Sequence, residues 1–244
     1  IITAIIGILS IVNNSITPSV GNSIIVEKIE KNYSDFKKVF LVYAWLVGWS
    51  TVAVIILIQP FMALWMGKKM LLPFSTVLLF SIYLYFWLIR QTVLIYKDAA
   101  GMWWSDRYKP YIEAITNLVL NLVIVRYIGI NGVLISTIIS MSLVAIPWET
   151  YALFKNYFKC KPNEYYLRFL TYIVITLVGG ILTYIICLVV PDGNLGYLAI
   201  KILICLVVPN IVFLIGVFNM NEFKGILYIG TRIFRRKFNF AKIK

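Results

Sequence analysis

The sequence contains no histidine and few charged residues. Asp, Glu, Lys and Arg make up 14% of its 244 residues, against roughly 25% in a typical soluble domain. Without histidine the chain lacks the commonest zinc ligand and the only side chain that ordinarily titrates near neutral pH. Histidine chemistry and histidine-based metal sites are therefore excluded for this segment.

Cysteine is also scarce, and no nucleotide-binding motif occurs. The three cysteines, Cys160, Cys187 and Cys205, lack metal-site or redox spacing, so we expect inert packing residues. There is no G-x-x-x-x-G-K-[ST] phosphate loop, and no linker between apolar runs is longer than about twenty residues. We therefore expect no cofactor and no ATP hydrolysis in this segment.

The sequence is instead rich in long apolar runs. Apolar residues make up 61% of the chain, and a bilayer core about 30 Å thick needs about 20 of them per helical span. The runs are apolar on all sides and do not alternate, which excludes a β-barrel. The sequence predicts an all-α, polytopic transmembrane helical bundle of about seven spans. The predicted spans are Ile1–Val26, Val39–Gln59, Leu71–Leu94, Ile112–Tyr127, Ile130–Phe154, Leu167–Val190 and Gly196–Phe218.

These spans divide the chain into a transmembrane lobe, residues 1–218, and a basic tail, residues 219–244. Because the chain opens inside an apolar run without a methionine, we expect an N-terminally truncated fragment. Most of the net charge of +13 lies in the first, third and fifth linkers and in the tail. The positive-inside rule predicts that these segments, and so the C-terminus, are cytoplasmic. The dispersed charge does not indicate nucleic-acid binding; the tail either contacts anionic membrane lipids or only anchors the topology.

Polar residues inside spans mark where function is expected, because lipid disfavours them. Asn14, Thr17 and Pro18 belong to a polar cluster in the first span. A proline there is expected to interrupt the helix, and interrupted helices often line transport pathways. The alternative is that the cluster only marks the end of the helix before the charges that begin at Glu27.

The third span carries two aromatic residues and an arginine on one face. Tyr83, Trp87 and Arg90 lie at positions i, i+4 and i+7, and Gln91 adjoins them. Aromatic faces can stack on sugar rings, and a guanidinium suits a phosphate or pyrophosphate. The alternative for Arg90 is that its side chain extends to the lipid headgroups.

The fourth span carries a polar stripe. Glu113, Asn117 and Asn121 lie at i, i+4 and i+8 along an otherwise apolar helix. The alternatives without a function are that Glu113 is only a first-turn acid after Pro110, and that the two asparagines only hydrogen-bond a neighbouring helix. We also expect Arg90 to pair with Glu113 or Glu149, which would offset the burial of either charge.

Several segments together resemble a known family. They are Tyr96–Pro110 followed by Glu113-Ala114 and Asn117–Asn121, and also Ile16–Asn22, Trp65-Met66-Gly67 and Gly129–Val133. In order and spacing they resemble the oligosaccharide flippases of the multidrug/oligosaccharidyl-lipid/polysaccharide exporter superfamily. The resemblance runs from about residue 11 to residue 158.

The resemblance implies a fold of two lobes around a central cationic cavity, of which this chain is most of the second lobe. Such flippases move undecaprenyl-pyrophosphate-linked oligosaccharide repeat units across the bacterial cytoplasmic membrane by alternating access, for capsule or exopolysaccharide assembly. Arg90 is then a pyrophosphate contact. The implied partners are the lipid-linked oligosaccharide, membrane lipids and a polysaccharide polymerase or glycosyltransferases.

Other functions stay open at this point. A multidrug or cation antiporter of the same superfamily needs a carboxylate deep in a span, whereas the acids are expected near helix ends. A membrane polysaccharide polymerase would need acidic or histidine groups on a large external loop, and the external linkers hold only Asp192 as an acid. We therefore expect no enzyme. A structural subunit would not need the polar stripes.

Overall fold

A computed structural model describes the backbone of residues 2–241 and the side chains of residues 3–231. It is 88% helical, and no strand occurs among the described residues. Seven of the described helical segments are long and apolar enough to cross a membrane. The predicted all-α polytopic bundle is confirmed, and the chain belongs to a multi-pass membrane protein.

Ten α-helices fall within residues 2–241. They are α1 (Ile2–Val26), α2 (Ile29–Trp65), α3 (Phe74–Ile89), α4 (Gln91–Ala99), α5 (Lys109–Ile128), α6 (Ile130–Ser140), α7 (Ile146–Leu153), α8 (Asn163–Leu188), α9 (Leu195–Val217) and α10 (Asn221–Ala241). Only Arg90 separates α3 from α4, and the two form one span. The fifth span joins α6 to α7 through a π-helical turn, Met141–Ala145, and a second π turn, Phe154–Phe158, extends it.

Consecutive spans alternate in direction, so their connections fall at two ends of the bundle. One end holds the break at Glu27 and Lys28, residues 100–108, residues 159–162 and the start of α10. Most of the lysines and arginines lie here, and we call it the basic end. The opposite end holds residues 66–73, Gly129 and residues 189–194. Gly129 has a φ of 57° and forms a turn of a single residue between α5 and α6, a conformation that favours glycine.

The first predicted linker is mostly helical, which corrects the sequence analysis. Only Glu27 and Lys28 lie between α1 and α2. Glu27 pairs with Lys31 on the exposed side, whereas Phe36 is 1% exposed and belongs to the core. A charged, amphipathic segment without glycine or proline thus simply continues the helix. With 37 residues, α2 is about 55 Å long and extends beyond a hydrocarbon core of about 30 Å.

An aromatic cluster holds the basic end together. Phe36 and Phe40 of α2 pack against Tyr165 of α8 with ring centroids 6.0 and 4.9 Å apart. Phe36 also meets Tyr96 of α4 edge-on at 5.1 Å, and Phe154 of the second π turn at 5.9 Å. Aromatic pairs in these geometries stabilise by about 0.5–1.5 kcal/mol each beyond burial. The cluster therefore fixes three segments of the chain around the half of α2 that lies at the basic end.

Close helix contacts hold the middle of the bundle, where α2 packs on α8 and α9. Pro209 of α9 has no N–H for the Cys205 carbonyl one turn before it. The indole N–H of Trp49 donates to that carbonyl at 2.9 Å instead. Gly48 lies where no side chain fits: a Cβ there would be 2.5 Å from Thr176 Oγ1 and 2.8 Å from Phe213 Cε2. Small residues at such contacts are the usual means of helix association in membranes.

Gly48→Ala should destabilise the bundle by about 1–3 kcal/mol, because both neighbours are fixed and overpacking forces the helices apart. Thr176 is held by its hydrogen bond to the Tyr172 carbonyl, and Phe213 is 1% exposed. The measurement is the midpoint of thermal unfolding in detergent. The matched control is Gly21→Ala in α1, where a Cβ meets nothing within 4 Å. Equal midpoints for the two variants would contradict the packing at Gly48.

Candidate functional site

Four charged side chains from three spans meet inside the bundle. Arg90, between α3 and α4, holds the Glu149 carboxylate of α7 with two hydrogen bonds, from Nη2 to Oε1 at 2.6 Å and from Nε to Oε2 at 3.1 Å. Lys109, the first residue of α5, lies 2.7 Å from Glu149 Oε1 and 2.7 Å from Glu113 Oε2. Arg90 Nη1 is 3.8 Å from Glu113 Oε1. We call these four residues the ion cluster.

Two members of the ion cluster, Arg90 and Glu149, lie well inside their spans. Arg90 precedes the end of its span at Ala99 by nine residues, and Glu149 precedes Phe158 by nine. At 1.5 Å per residue both lie about 13 Å inside the basic end. The Glu149 side chain is 1% exposed and that of Arg90 12%. The Arg90 guanidinium is therefore bound at two points by the Glu149 carboxylate. This geometry does not fit an arginine side chain that extends to the lipid headgroups.

Charge balance explains why these residues tolerate burial. The cluster holds two cations and two carboxylates, and both cations contact Glu149. A bidentate guanidinium–carboxylate pair satisfies the directional donors as well as the charge. A buried pair adds little net stability, but removal of one partner costs about 3–5 kcal/mol because the other charge stays buried. Glu149, the most buried member, depends most on its partners.

The expected pairing of Arg90 with Glu113 or Glu149 is confirmed, and the structure adds a residue that the sequence analysis missed. Lys109 was assigned to a linker, where it counted only toward topology. It is buried and is the first residue of α5. Its position four residues before Glu113 was the available signal, since oppositely charged residues at i and i+4 face each other on a helix.

Further buried polar groups lie on the same helices as the cluster or in the adjoining loop. Lys97 of α4 is 5% exposed and pairs with Asp106 in the 100–108 loop. Thr92, two residues after Arg90, and Thr150, next to Glu149, are buried. Their hydroxyl groups have no hydrogen-bond partner within the described part of the chain. Polar groups that are buried and unsatisfied are uncommon, and they are often found at functional sites.

The aromatic candidates of the third span have a mixed role. Tyr83 and Trp87 are half-buried and pack against the main core cluster. Tyr83 also meets Phe80 edge-on, with ring centroids 6.3 Å apart. The Gln91 side chain donates to the Trp87 carbonyl at 3.3 Å. Packing thus occupies part of each ring, and only the remainder is open to a ligand.

The polar stripe of α5 divides into two parts. Glu113 joins the ion cluster, whereas Asn117 bonds to α6 and Asn121 bonds to Asn117 on the same helix. Asn117 Nδ2 lies 3.2 Å from Thr137 Oγ1 and 3.3 Å from Ser140 Oγ, and Asn121 Nδ2 donates to Asn117 Oδ1 at 2.8 Å. For Asn117 the structure supports the alternative of a hydrogen-bonded contact between neighbouring helices, which Asn121 joins only through Asn117.

The polar cluster of α1 does not break its helix, which corrects the expectation for Pro18. The helix runs through Pro18 without interruption and ends at Val26, directly before Glu27, which agrees with the alternative that the cluster precedes the helix end. The Thr17 hydroxyl donates to the Asn13 carbonyl at 2.9 Å, and the carbonyl that loses its helical donor to Pro18 is that of Asn14. Asn14, Thr17 and Pro18 are exposed. They form part of a polar face on a span that the described bundle leaves uncovered.

The basic tail is helical in its described part. Glu222, in the first turn of α10, is 5% exposed and accepts two hydrogen bonds from the Arg168 guanidinium of α8 at 3.1 Å each. This pair fixes the start of α10 to the basic end. The basic side chains from Arg232 onward, which carried the predicted contact with lipid headgroups, lie outside the described residues.

The chemistry of the site is that of ion pairing. No group of three or more Asp, Glu, Cys or His residues that could hold a metal occurs within the described residues. The guanidinium and ammonium groups of the cluster can bind an anion. A bound anion would take the place of one of the carboxylates that now pair with these cations. No family model, curated protein or solved structure matches the chain. The inference of function therefore starts from this cluster and from the polar faces of the spans.

Glu149→Gln should destabilise the protein more than Glu113→Gln. The amide removes the buried carboxylate that both cations contact within 2.7 Å, a loss that should approach 3 kcal/mol. Glu113 has a side chain that is 24% exposed, so its loss should be about 1 kcal/mol or less. Unfolding midpoints of both variants in the same detergent decide the order. Equal losses would show that Glu149 is not the centre of the cluster.

Proposed function

We propose that this chain is part of a flippase that moves prenyl-pyrophosphate-linked oligosaccharide repeat units across a bacterial cytoplasmic membrane. The observation that carries the proposal is the ion cluster, in which a bidentate arginine lies about 13 Å inside the bundle. Charges at such depth normally mark a substrate or ion pathway. The resemblance of the chain to oligosaccharide flippases supports the same substrate class.

Arg90 is already paired, so an anionic substrate has to exchange with a carboxylate. Pyrophosphate offers the planar guanidinium oxygen acceptors equivalent to those of Glu149. Lys109 lowers the free-energy cost of such an exchange, because it contacts Glu149 at 2.7 Å and keeps that carboxylate paired when Arg90 leaves it. Substrate passage is then an exchange of ion-pair partners, without covalent chemistry.

The glycan needs a polar route, because hydrocarbon offers its hydroxyl groups no hydrogen bonds. The exposed polar face of α1, with Asn14, Thr17 and Pro18, supplies one wall of such a route. Tyr83 and Trp87 are half-buried and offer partial aromatic faces to sugar rings. The prenyl chain stays in lipid, beside the apolar exterior of helices such as α5.

Localisation and partners follow from the same proposal. The basic end is the cytoplasmic end by the positive-inside rule, which places the C-terminus in the cytoplasm. The chain then acts in the cytoplasmic membrane for capsule or exopolysaccharide assembly. Its partners are the lipid-linked oligosaccharide, membrane lipids, and a polysaccharide polymerase or glycosyltransferases that work on either side of the transport step.

One observation favours a second function, a proton- or sodium-coupled antiporter. The sequence analysis expects the acids near helix ends; Glu149 lies in the first turn of α7 but nine residues before the end of its span at Phe158. Its span continues to Phe158, four residues beyond the predicted end, and the side chain is 1% exposed. A carboxylate at this depth is what ion coupling requires. An antiporter should export small cations and depend on Glu149, whereas the flippase should restore polysaccharide export and depend on Arg90.

An enzymatic role has less support, and we propose none. Asp192, the acid of the predicted external linkers, lies 2.5 Å from Lys201 of α9. It is thus engaged in an ion pair at the opposite end of the bundle. Acid–base catalysis would need a titratable group positioned beside a substrate site.

Topology can be measured with the native cysteines and one added cysteine. Native Cys160 at the basic end is exposed, whereas Cys187 and Cys205 are buried. An impermeant maleimide should label Cys160 only after the cells are permeabilised. In a Cys160→Ser background, Leu195→Cys, which is 73% exposed at the opposite end, should be labelled in intact cells. Labelling of Cys160 from outside would reverse the orientation.

The labelling of Cys160 should also depend on pH. Loss of hydration around the sulfur and the nearby Glu164 carboxylate raise the pKa of the Cys160 thiol, and Lys37 opposes them. A raised pKa leaves less thiolate at neutral pH, so labelling should accelerate as pH rises. The assay is best run at about pH 8.5, near the ordinary thiol pKa.

Arg90→Ala should abolish polysaccharide export, and Arg90→Lys should restore only part of it. Lysine keeps the charge but loses the planar fork that holds a carboxylate or pyrophosphate at two points. The measurement is complementation of a flippase-deficient strain, with surface polysaccharide as the readout and the amount of membrane protein quantified alongside. The matched control is Arg126→Ala, an exposed arginine near the opposite end of α5.

Two outcomes would contradict this assignment. Normal export by Arg90→Ala would remove Arg90 from the substrate path and leave the fold unaffected. Full activity of Arg90→Lys would indicate that a point charge suffices and that bidentate binding has no role. A variant that is lost from the membrane reports on stability, so Arg90→Lys is compared only at matched protein amounts.

A further inference from the structure

A second candidate site lies near the basic end, outside the ion cluster. A cleft of about 580 Å³ opens between α5 and α7, with the 100–108 loop at its edge. We call it the α5–α7 cleft; its lining is mostly apolar, and Ser105, Trp148, Tyr151, Lys155 and Asn156 carry its polar groups. Its volume falls within the roughly 300–1,000 Å³ of typical ligand pockets. The proposed function so far assigns nothing to it.

The cleft contains a cation without an acidic partner. Lys155 Nζ donates to Tyr151 Oη at 2.8 Å and lies 5.0 Å from the centre of that ring. No acidic side chain among residues 3–231 forms a salt bridge with Lys155, whereas Lys37, Arg90, Lys109 and Arg168 all have carboxylate partners. The charge of Lys155 is therefore available to an anionic ligand, and the aromatic ring holds it in place.

The remaining walls carry groups that suit a sugar. Trp148 and Tyr151 present aromatic surface, and Asn156 and Ser105 present an amide and a hydroxyl. The Trp148 indole lies 3.4 Å from the Ser105 carbonyl, so the loop and α7 meet at the cleft. Aromatic faces beside hydrogen-bonding side chains are the usual means of saccharide recognition in a wet groove.

The position of the cleft relates it to the ion cluster. Trp148 and Ile112 in its walls precede Glu149 and Glu113 of the cluster directly in sequence. Lys155 lies three residues before the end of its span at Phe158, and Glu149 lies nine before it. Along the helix axis Lys155 is therefore about 9 Å nearer to the basic end than Glu149. A lipid headgroup at the membrane surface would reach Lys155 before Arg90.

We propose that the α5–α7 cleft is the docking site for the headgroup of the prenyl-pyrophosphate-linked saccharide in the inner leaflet. This inference rests on the proposed function and names an entry site for its substrate. Lys155 binds a phosphate of the headgroup, and Trp148, Tyr151 and Asn156 contact the first sugar. The prenyl chain lies against the exposed apolar side chains of α5. A common anionic phospholipid would use the cation alone and would leave the aromatic and amide groups without a role.

Photo-crosslinking of the purified protein in nanodiscs tests the site. The probe is a photoreactive prenyl pyrophosphate that carries one sugar, in nanodiscs of phosphatidylcholine. We expect crosslinks on residues of the cleft and a loss of labelling of about tenfold in Lys155→Ala, the size expected when a charged hydrogen bond is removed. Lys155 is exposed, so this variant should fold. The matched control is Lys161→Ala, an exposed lysine at the same end outside the cleft.

A second arm distinguishes the ligand. Nanodiscs that contain phosphatidylglycerol should leave the labelling unchanged, and the same prenyl pyrophosphate without a sugar should label more weakly. Tyr151→Ala should weaken labelling by the sugar-bearing probe more than labelling by the sugar-free one. Displacement of the probe by phosphatidylglycerol would make the cleft a phospholipid site and overturn the proposal. An equal loss of labelling in Lys155→Ala and Lys161→Ala would show that the probe responds only to general surface charge. That result would also overturn the proposal.

The two proposals fail separately. Normal labelling of the cleft in a protein that does not restore polysaccharide export would leave the docking site standing and refute the flippase function. Export that depends on Arg90 but is unchanged in Lys155→Ala and Tyr151→Ala would refute the docking site and leave the flippase function standing.

Discussion

Polar groups inside a membrane have no water to bind, and this constraint organises the bundle. Hydroxyl side chains such as Thr176 and Ser136 return to the carbonyl one turn earlier, at 2.8 Å each. Proline residues remove a donor, and at Pro209 the missing hydrogen bond comes from the indole of Trp49. Charges follow the same rule, and each buried member of the ion cluster has an opposite charge on another span. Where the rule is not met within the described residues, as on the exposed polar face of α1, we expect a polar surface that the chain shares with something else.

The ion cluster could serve the transport we propose, because its members have more than one partner each. Lys109 contacts both carboxylates, and Arg90 holds Glu149 while Glu113 lies 3.8 Å away. A buried pair of one cation and one anion would be trapped, since separation exposes an unpaired charge to hydrocarbon. A set of four can exchange partners one at a time. The same redundancy suits an anionic substrate and an ion-coupled antiporter, so the function is decided by the ligand that enters.

The two π turns around α7 determine which side chains reach the cluster and which reach the cleft. Ile146 donates its backbone N–H to the Met141 carbonyl, five residues earlier, just before Pro147. One extra residue in a turn rotates everything after it by about 100° relative to a regular helix. Glu149 is thereby buried among α4 and α5, while Tyr151 and Lys155 are exposed in the cleft. Such insertions are frequent at functional sites, and here the first precedes Glu149 and the second contains Lys155.

The sequence by itself determined the class of the protein, the number of spans and the end that carries the basic residues, because hydrophobic length and charge distribution are local properties. It also placed Arg90, Glu113 and Glu149 near one another, since helix direction and residue number give their depth. It misjudged Pro18, which a continuous helix accommodates, and it missed Lys109, Lys155 and the α5–α7 cleft. Only the tertiary structure decided those, because the rotation of each helix about its axis depends on packing between distant segments. A helix that appears equally apolar on all sides in sequence gives no indication of which face will meet its neighbour.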